Sequence, residues 1–329
     1  MINLDEHKIY IESHKMEMVP LSVAIQAVQE ALTPETEKYT NELENALNEL
    51  RNSLNNINFM IKIAHESPKS IFNDVQKHTD YDYALVHLFE EDKEYLKQFQ
   101  EAVKKGREVI LDNSIFELEE AFNADRFAHW INELRPTWYI VPDALEDAKR
   151  TMNQMASWNM HYADVVYGKK IGVVQGKTYK QIVACYEYMD KIADVEMIAI
   201  SFDYSYYIKS VPHPNKYVSW MLGRIKLLGD LVRDGIINEQ KPHHLLGCGL
   251  PQEFSFYSQY PWIYSLDTSN PVVHGIKGIA YDSNGLWSKE SQKLFELINY
   301  KVKDTNLILN NIHKFRWFTN GNSKVQYRG

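Results

Sequence analysis

Cysteine is scarce: a chain of 329 residues has two, Cys185 and Cys248. Two thiols cannot make a disulfide framework, and neither has the clustered Cys and His partners of a structural zinc site, so a reducing compartment is expected. Long apolar runs are missing as well. The opening residues, MINLDEHKIYIE, carry acids where a secretory signal would be basic and then apolar, and no stretch reaches the length of a membrane span. The expectation is a cytoplasmic protein without membrane attachment. A basic surplus is also lacking, because the formal net charge is -8. That excludes a protein that coats nucleic acid through bulk charge. There is no internal repeat and no low-complexity linker.

What is present is a substantial apolar fraction, 44%, which excludes wholesale disorder. The length suits two domains or one (β/α)₈ barrel. Charge is uneven along the chain. Residues 1–66 hold eleven Asp or Glu against five Lys or Arg, whereas residues 289–329 hold eight Lys or Arg against three acids. The basic end suggests contact with a polyanion, and Lys314, Arg316, Lys324 and Arg328 are its candidate backbone contacts, with Lys277 a weaker one.

From Thr33, with Pro34 at the first helical position, to about Ala64, the spacing of Leu43, Leu47, Leu50, Leu54, Ile57 and Ile61 predicts one long helix. Its seam would pair with a preceding helix over residues 20–32 or join two copies in a homodimer. From Tyr81 onward, short apolar runs alternate with amphipathic helices; examples are Glu108-Val-Ile-Leu-Asp112, Trp138-Tyr-Ile-Val-Pro-Asp143, Lys170-Ile-Gly-Val-Val-Gln175 and Glu196-Met-Ile-Ala-Ile-Ser201. Strands apolar throughout and separated by helices predict a parallel sheet covered on both faces. Seven such runs, with an eighth strand near His7–Glu12 or Val272–Ile276, predict an α/β fold, a (β/α)₈ TIM barrel with a helical N-terminal elaboration. The expected division is an N-terminal strand and helical hairpin (1–79), the barrel (80–288), and a final helix from Lys289 to about Phe315 with a basic tail (289–329).

In such a barrel the functional groups sit at the carboxyl ends of the strands. Those ends read Asp112, Asp143, Gln175, Ser201 followed by Asp203, Gly247 to Gly249, and Asp267. One Asp ending a strand is an ordinary turn or helix-cap residue. Several converging polar ends predict one shared site suited to a flat heterocycle. Clustered acids could bind a divalent metal, but no His accompanies them at ligand spacing, since His243 and His244 begin a strand and are expected to face away. Two Asp in one apolar pocket could instead divide the roles of nucleophile and acid/base, as glycosyl transfer requires.

Four segments together carry a resemblance. Ile171-Gly-Val-Val-Gln-Gly176, His243-His-Leu-Leu-Gly-Cys-Gly249 with the following Pro251 and Glu253, Asp112-Asn-Ser-Ile-Phe-Glu117 and Asp267-Thr-Ser-Asn-Pro271 resemble, in order and rough spacing over residues 80–280, the motifs of the tRNA-guanine transglycosylases and their relatives that insert 7-deazaguanines into DNA. The resemblance implies that Asp267 is the nucleophile toward C1′ of the sugar and Asp112 the general base. It implies that Asp143 accepts from the amino and ring N–H edge of a guanine-like base, and that Gln175 meets its carbonyl side. Phe116 and Leu246 would sandwich the ring, with Gly247 and Ser201 beside it. The Cys-rich zinc site of the tRNA enzymes is absent, and Ser114 and Ile115 replace a Gly-Gly pair. The expected activity is therefore exchange of guanine in DNA for preQ0 or a related base, with no cofactor. The alternatives are the same exchange on tRNA, or a non-catalytic barrel that binds nucleic acid or a partner.

Overall fold

The structure, a computed structural model, describes residues 60–321. The predicted N-terminal hairpin and its seam, the His7–Glu12 strand, Lys324 and Arg328 lie outside these residues. The described part belongs to one compact unit, Phe59–Gly329.

Eight parallel strands form a nearly closed (β/α)₈ barrel. They are β1 (Lys62–His65), β2 (Asp82–Leu85), β3 (Val109–Asp112), β4 (Trp138–Ile140), β5 (Lys169–Val174), β6 (Met197–Ser201), β7 (His243–Leu246) and β8 (Ile263–Thr268), in the order β1-β8-β7-β6-β5-β4-β3-β2. Helices α1 (Phe72–Gln76), α2 (Lys93–Lys104), α3 (Ala124–Leu134), α4 (Ala148–His161), α5 (Tyr179–Lys191), α6 (Lys216–Arg233) and α7 (Asn270–Ile276) follow the strands in turn, except that β7 leads into a 3₁₀ turn, Pro251–Phe256. A last helix, α8 (Asn306–Asn320), packs Phe315 against Phe254 of that turn, with ring centroids 5.1 Å apart. It also packs Ile308 and Ile312 with Val272 of α7.

Local sequence chemistry sets the helix starts. Asp92, Asn123, Asp147, Thr178 and Asn215 each accept a backbone N–H of the first turn of the helix they precede. Strand residues such as Val109, Ile110, Leu111, Ile198, Ala199 and Ile200 are fully buried, because barrel strands face a packed interior on one side and helices on the other.

The eighth strand differs from expectation. It is Lys62–His65, paired with β8 in the register Ala64↔Asp267, so the barrel begins before residue 80 and the predicted helix does not run through Ala64. Val272–Ile276, the other candidate, lies in α7. The apolar spacing that suggested helix up to Ile61 runs into the strand without a break, which hid the change from a period near 3.6 to one of 2. Lys289 to Phe315 is not one helix either: a loop and a short 3₁₀ turn, Leu294–Leu297, precede α8.

Between β1 and β2 the ladder is replaced by Asp80. Its backbone N–H donates to the Ile63 carbonyl (2.8 Å), and its carboxylate accepts from the Ile63 N–H (2.8 Å). Arg316 of α8 grips the same carboxylate with two nitrogens at 3.0 Å. The Arg316 guanidinium thereby bridges α8 to the β1–β2 edge of the barrel. Lys314 likewise donates to the Tyr281 carbonyl. No helix of the described residues is long and apolar enough to cross a membrane.

Candidate active site

A cavity of about 280 Å³ opens at the carboxyl ends of the strands. Its wall includes Asp112, Phe116, Asp143, Gln175, Ser201, Leu246, Gly247 and Asp267. All eight residues predicted for catalysis and base binding are therefore brought to one place. Lys277, Lys314 and Arg316 are not on this wall; Lys277 is exposed at the end of α7.

Asp143 follows β4 and is buried. The Asn113 side-chain amide donates to one of its oxygens (2.9 Å) and the Gln175 amide to the other (2.7 Å). Gln175 is itself oriented, because its Oε1 accepts the Glu146 N–H at 2.8 Å. That contact leaves the NH₂ end as the one facing Asp143. Each Asp143 oxygen retains acceptor capacity, and Gln175 a second N–H, for a ligand. Burial raises the Asp143 carboxyl from its ordinary range, and the two amide bonds oppose the rise.

Asp267, near the end of β8, is held differently. Its Oδ1 accepts from the Gly247 N–H (3.2 Å) and meets His244 Nε2 at 3.1 Å. No described residue is hydrogen-bonded to Oδ2. The expectation that His244 faces away is overturned: it is wholly buried directly beneath the carboxylate, with Nδ1 2.8 Å from the Ser265 hydroxyl. If Ser265 donates to Nδ1, the Nε2–H is left to donate to Asp267. His243 faces outward, where its Nε2 meets the Tyr186 hydroxyl of α5 at 2.8 Å. A register shift between His243 and His244 opposite β8 accompanies this arrangement.

The Tyr83 ring stacks on His244, with centroids 6.0 Å apart, and its hydroxyl donates to Asp112 Oδ2 at 2.5 Å. The Ser114 N–H donates to Oδ1 of the same carboxyl, also at 2.5 Å. Ser114 makes that bond from a left-handed backbone conformation, φ 62°. Asp112 nevertheless sits well above the usual carboxyl range, first through burial and then through the negative charge of Glu117.

Glu66, Glu117 and Lys289 are among the carboxyl and ammonium groups on the wall that went unpredicted. Glu66 follows β1 and is pushed well up by burial and by Asp267; Glu117 is pushed up to about 7, chiefly by burial. Lys289 is pushed down by burial. Glu66 was missed because its strand was missed, and Lys289 because its segment read as helix. His244 had a signal, since strand alternation places it on the same face as Leu246.

The Leu246–Gly247 turn rests on a buried ion pair. Arg224 of α6 donates through Nε to Glu253 at 2.5 Å, and through its other nitrogens to the carbonyls of Leu246 (3.0 Å) and Gly247 (3.1 Å). Gly247 has φ +65°, and a Cβ there would lie 2.5 Å from the Phe202 ring. Only glycine places this N–H under Asp267 without displacing that ring. Among the described residues no His, Cys, Asp and Glu side chains are grouped to hold a metal ion. Comparison of the chain with protein-family models and with curated proteins finds no match.

Proposed function

We propose that the chain is a base-exchange transglycosylase that replaces guanine in DNA with a 7-deazaguanine such as preQ0. The observation that carries this reading is the contrast between two carboxyls on one cavity wall: Asp267 has one oxygen anchored and the other without a hydrogen-bond partner among the described residues, and Asp112 is pushed toward its protonated form. That is the division of labour a double displacement at an anomeric carbon requires. The oriented Asp143–Gln175 pair adds an acceptor beside a donor, which matches the N–H and carbonyl edge of a guanine-like ring. The motif resemblance points the same way.

In this mechanism Asp267 Oδ2 attacks C1′ as the C1′–N9 bond breaks and its electron pair leaves with the base. Asp112 gives its proton to the departing guanine. An incoming 7-deazaguanine then loses a proton to Asp112 and attacks C1′, and the bond to Asp267 breaks. Two displacements retain the configuration at the sugar. The test is to incubate the purified chain with guanine-containing DNA or with tRNA, each with radiolabelled 7-deazaguanine. Label is expected in DNA, with one guanine released per base incorporated. Incorporation into tRNA alone would transfer the reading to that substrate. Release of guanine without incorporation would make the chain a hydrolase, and absence of both would end the proposal.

A further inference from the structure

Resting on that reading, we propose that the mouth of the cavity is a track for single-stranded nucleic acid, with Lys216 and Lys289 taking phosphates and Phe116 and Trp287 stacking bases. The observation is a continuous strip of cations and aromatic rings, assembled from three distant parts of the chain. Lys216 lies 5.2 Å from the Trp220 ring; Trp220 is edge-on to Phe202 at 5.6 Å; Lys289 lies 3.9 Å from Phe202 and 6.0 Å from Phe116. All of these residues line the cavity. The strip continues outward to Trp287, whose carbonyl accepts from Asn215, the residue before Lys216, at 2.5 Å.

Ordinary surface lysines and core aromatics account poorly for this strip. Phe116 is 39% and Trp287 68% exposed, so both rings reach solvent. Lys289 Nζ has no hydrogen-bond or ion-pair partner among the described residues, so it has donors free for an anion, whose charge would oppose the burial that pushes Lys289 down. Unpaired bases offer the flat faces that exposed aromatics reward, while a duplex offers phosphates and groove edges only. A chain with net charge -8 has no bulk basic surface to hold a duplex by charge alone. An acidic peptide would satisfy the lysines and leave the rings uncovered.

The experiment measures fluorescence anisotropy with labelled oligothymidylate of about twelve nucleotides, single-stranded or paired with oligodeoxyadenylate. The full chain is expected to bind the single strand at least about tenfold more tightly than the duplex. Lys216→Ala and Lys289→Ala should each weaken binding about tenfold and flatten the salt dependence by about one phosphate contact. Trp287→Ala should weaken binding and leave the salt slope unchanged. Equal affinity for duplex, or unchanged binding and salt slope in both lysine variants, overturns the proposal. Lys216 and Trp287 are exposed, so their replacement leaves the core intact. Because oligothymidylate holds no guanine, loss of base exchange with intact strand binding would count against the transglycosylase reading alone.

Discussion

On the β4–β5 side of the cavity, Asp143 has an amide donor on each oxygen, and the amide of Gln175 is itself held by a backbone N–H. On the β8–β1–β3 side, Asp267, Glu66, Asp112 and Glu117 crowd together, and no described cation is hydrogen-bonded to any of their carboxyls. The first wall is fully oriented before any ligand arrives, which suits recognition, since fixed donors and acceptors reject a mismatched edge. On the second, burial raises Glu66, Asp112 and Glu117 together, which favours their protonated forms, and that suits proton transfer. Hydrogen bonds from Tyr83 and Ser114 hold Asp112 in place without offsetting its burial.

The comparison breaks most sharply at Asp267. Asp267→Asn keeps the size of the side chain but replaces the proposed attacking carboxylate with an amide, so exchange is expected to fall at least about a thousandfold, with no covalent protein–DNA adduct trapped. Affinity for the free base, measured by calorimetry, should stay near that of the unaltered chain because the recognition wall is untouched. Near-normal exchange in this variant would remove the nucleophile from the mechanism.

Next in size is a change outside the cavity. Arg224 and Glu253 have side chains 0% and 1% exposed, and breaking a buried pair by removing one partner costs about 3–5 kcal/mol. Glu253→Gln leaves the guanidinium uncompensated, and the carbonyls of Leu246 and Gly247 lose a rigid anchor. Denaturant unfolding should show a loss within that range. A loss well under about 1 kcal/mol would mean that the turn is held by something else.

The two walls were not equally legible in the sequence. Asp112, Asp143, Gln175 and Asp267 each end a mostly apolar run, so strand direction alone sends them to one face of the barrel. Glu66 was hidden because β1 is short and continues a helical spacing, and a four-residue strand leaves too little alternation to override it. His244 required knowing that strand alternation places it beneath a neighbouring strand's carboxylate. Lys289 and Phe202 lie in connections, where periodicity carries no information; only the packed barrel shows that they meet. The closure by Asp80 and Arg316 joins residues more than two hundred positions apart, and nothing local announces it.

Recognition is tested by Asp143→Asn. In the proposed binding mode the substitution puts a donor where the N–H edge of the base also donates, and it also confronts the amides of Asn113 and Gln175. An unsatisfied polar contact at a buried site costs about 1–3 kcal/mol, so base affinity should fall about ten- to a hundredfold. The attacking group is unchanged, so any substrate forced to bind at high concentration should still form the adduct with Asp267. Loss of the adduct at saturating substrate would show that Asp143 belongs to the chemistry as well, and the distinction between the walls would fail.

The smallest effect probes the raised carboxyls directly. Glu117 is pushed from its ordinary 4.5 up to about 7, first by burial and also by Asp267. A carboxyl raised on folding makes the folded state bind the extra proton, so its contribution to stability is complete below about 4.5 and is lost as the pH climbs through about 7. For an isolated, fully buried group this rise would correspond to about 3 kcal/mol, but Glu66 and Asp112 are raised beside it and water reaches the half-buried side chain, so about 1 kcal/mol is expected. Glu117→Gln removes this titration. The melting temperature of the unaltered chain, taken relative to that of the variant, should therefore drop between about pH 5 and about pH 8. If the two melting curves instead run parallel across that window, Glu117 is not raised on folding, and the crowding on the second wall is carried by Glu66, Asp112 and Asp267 alone.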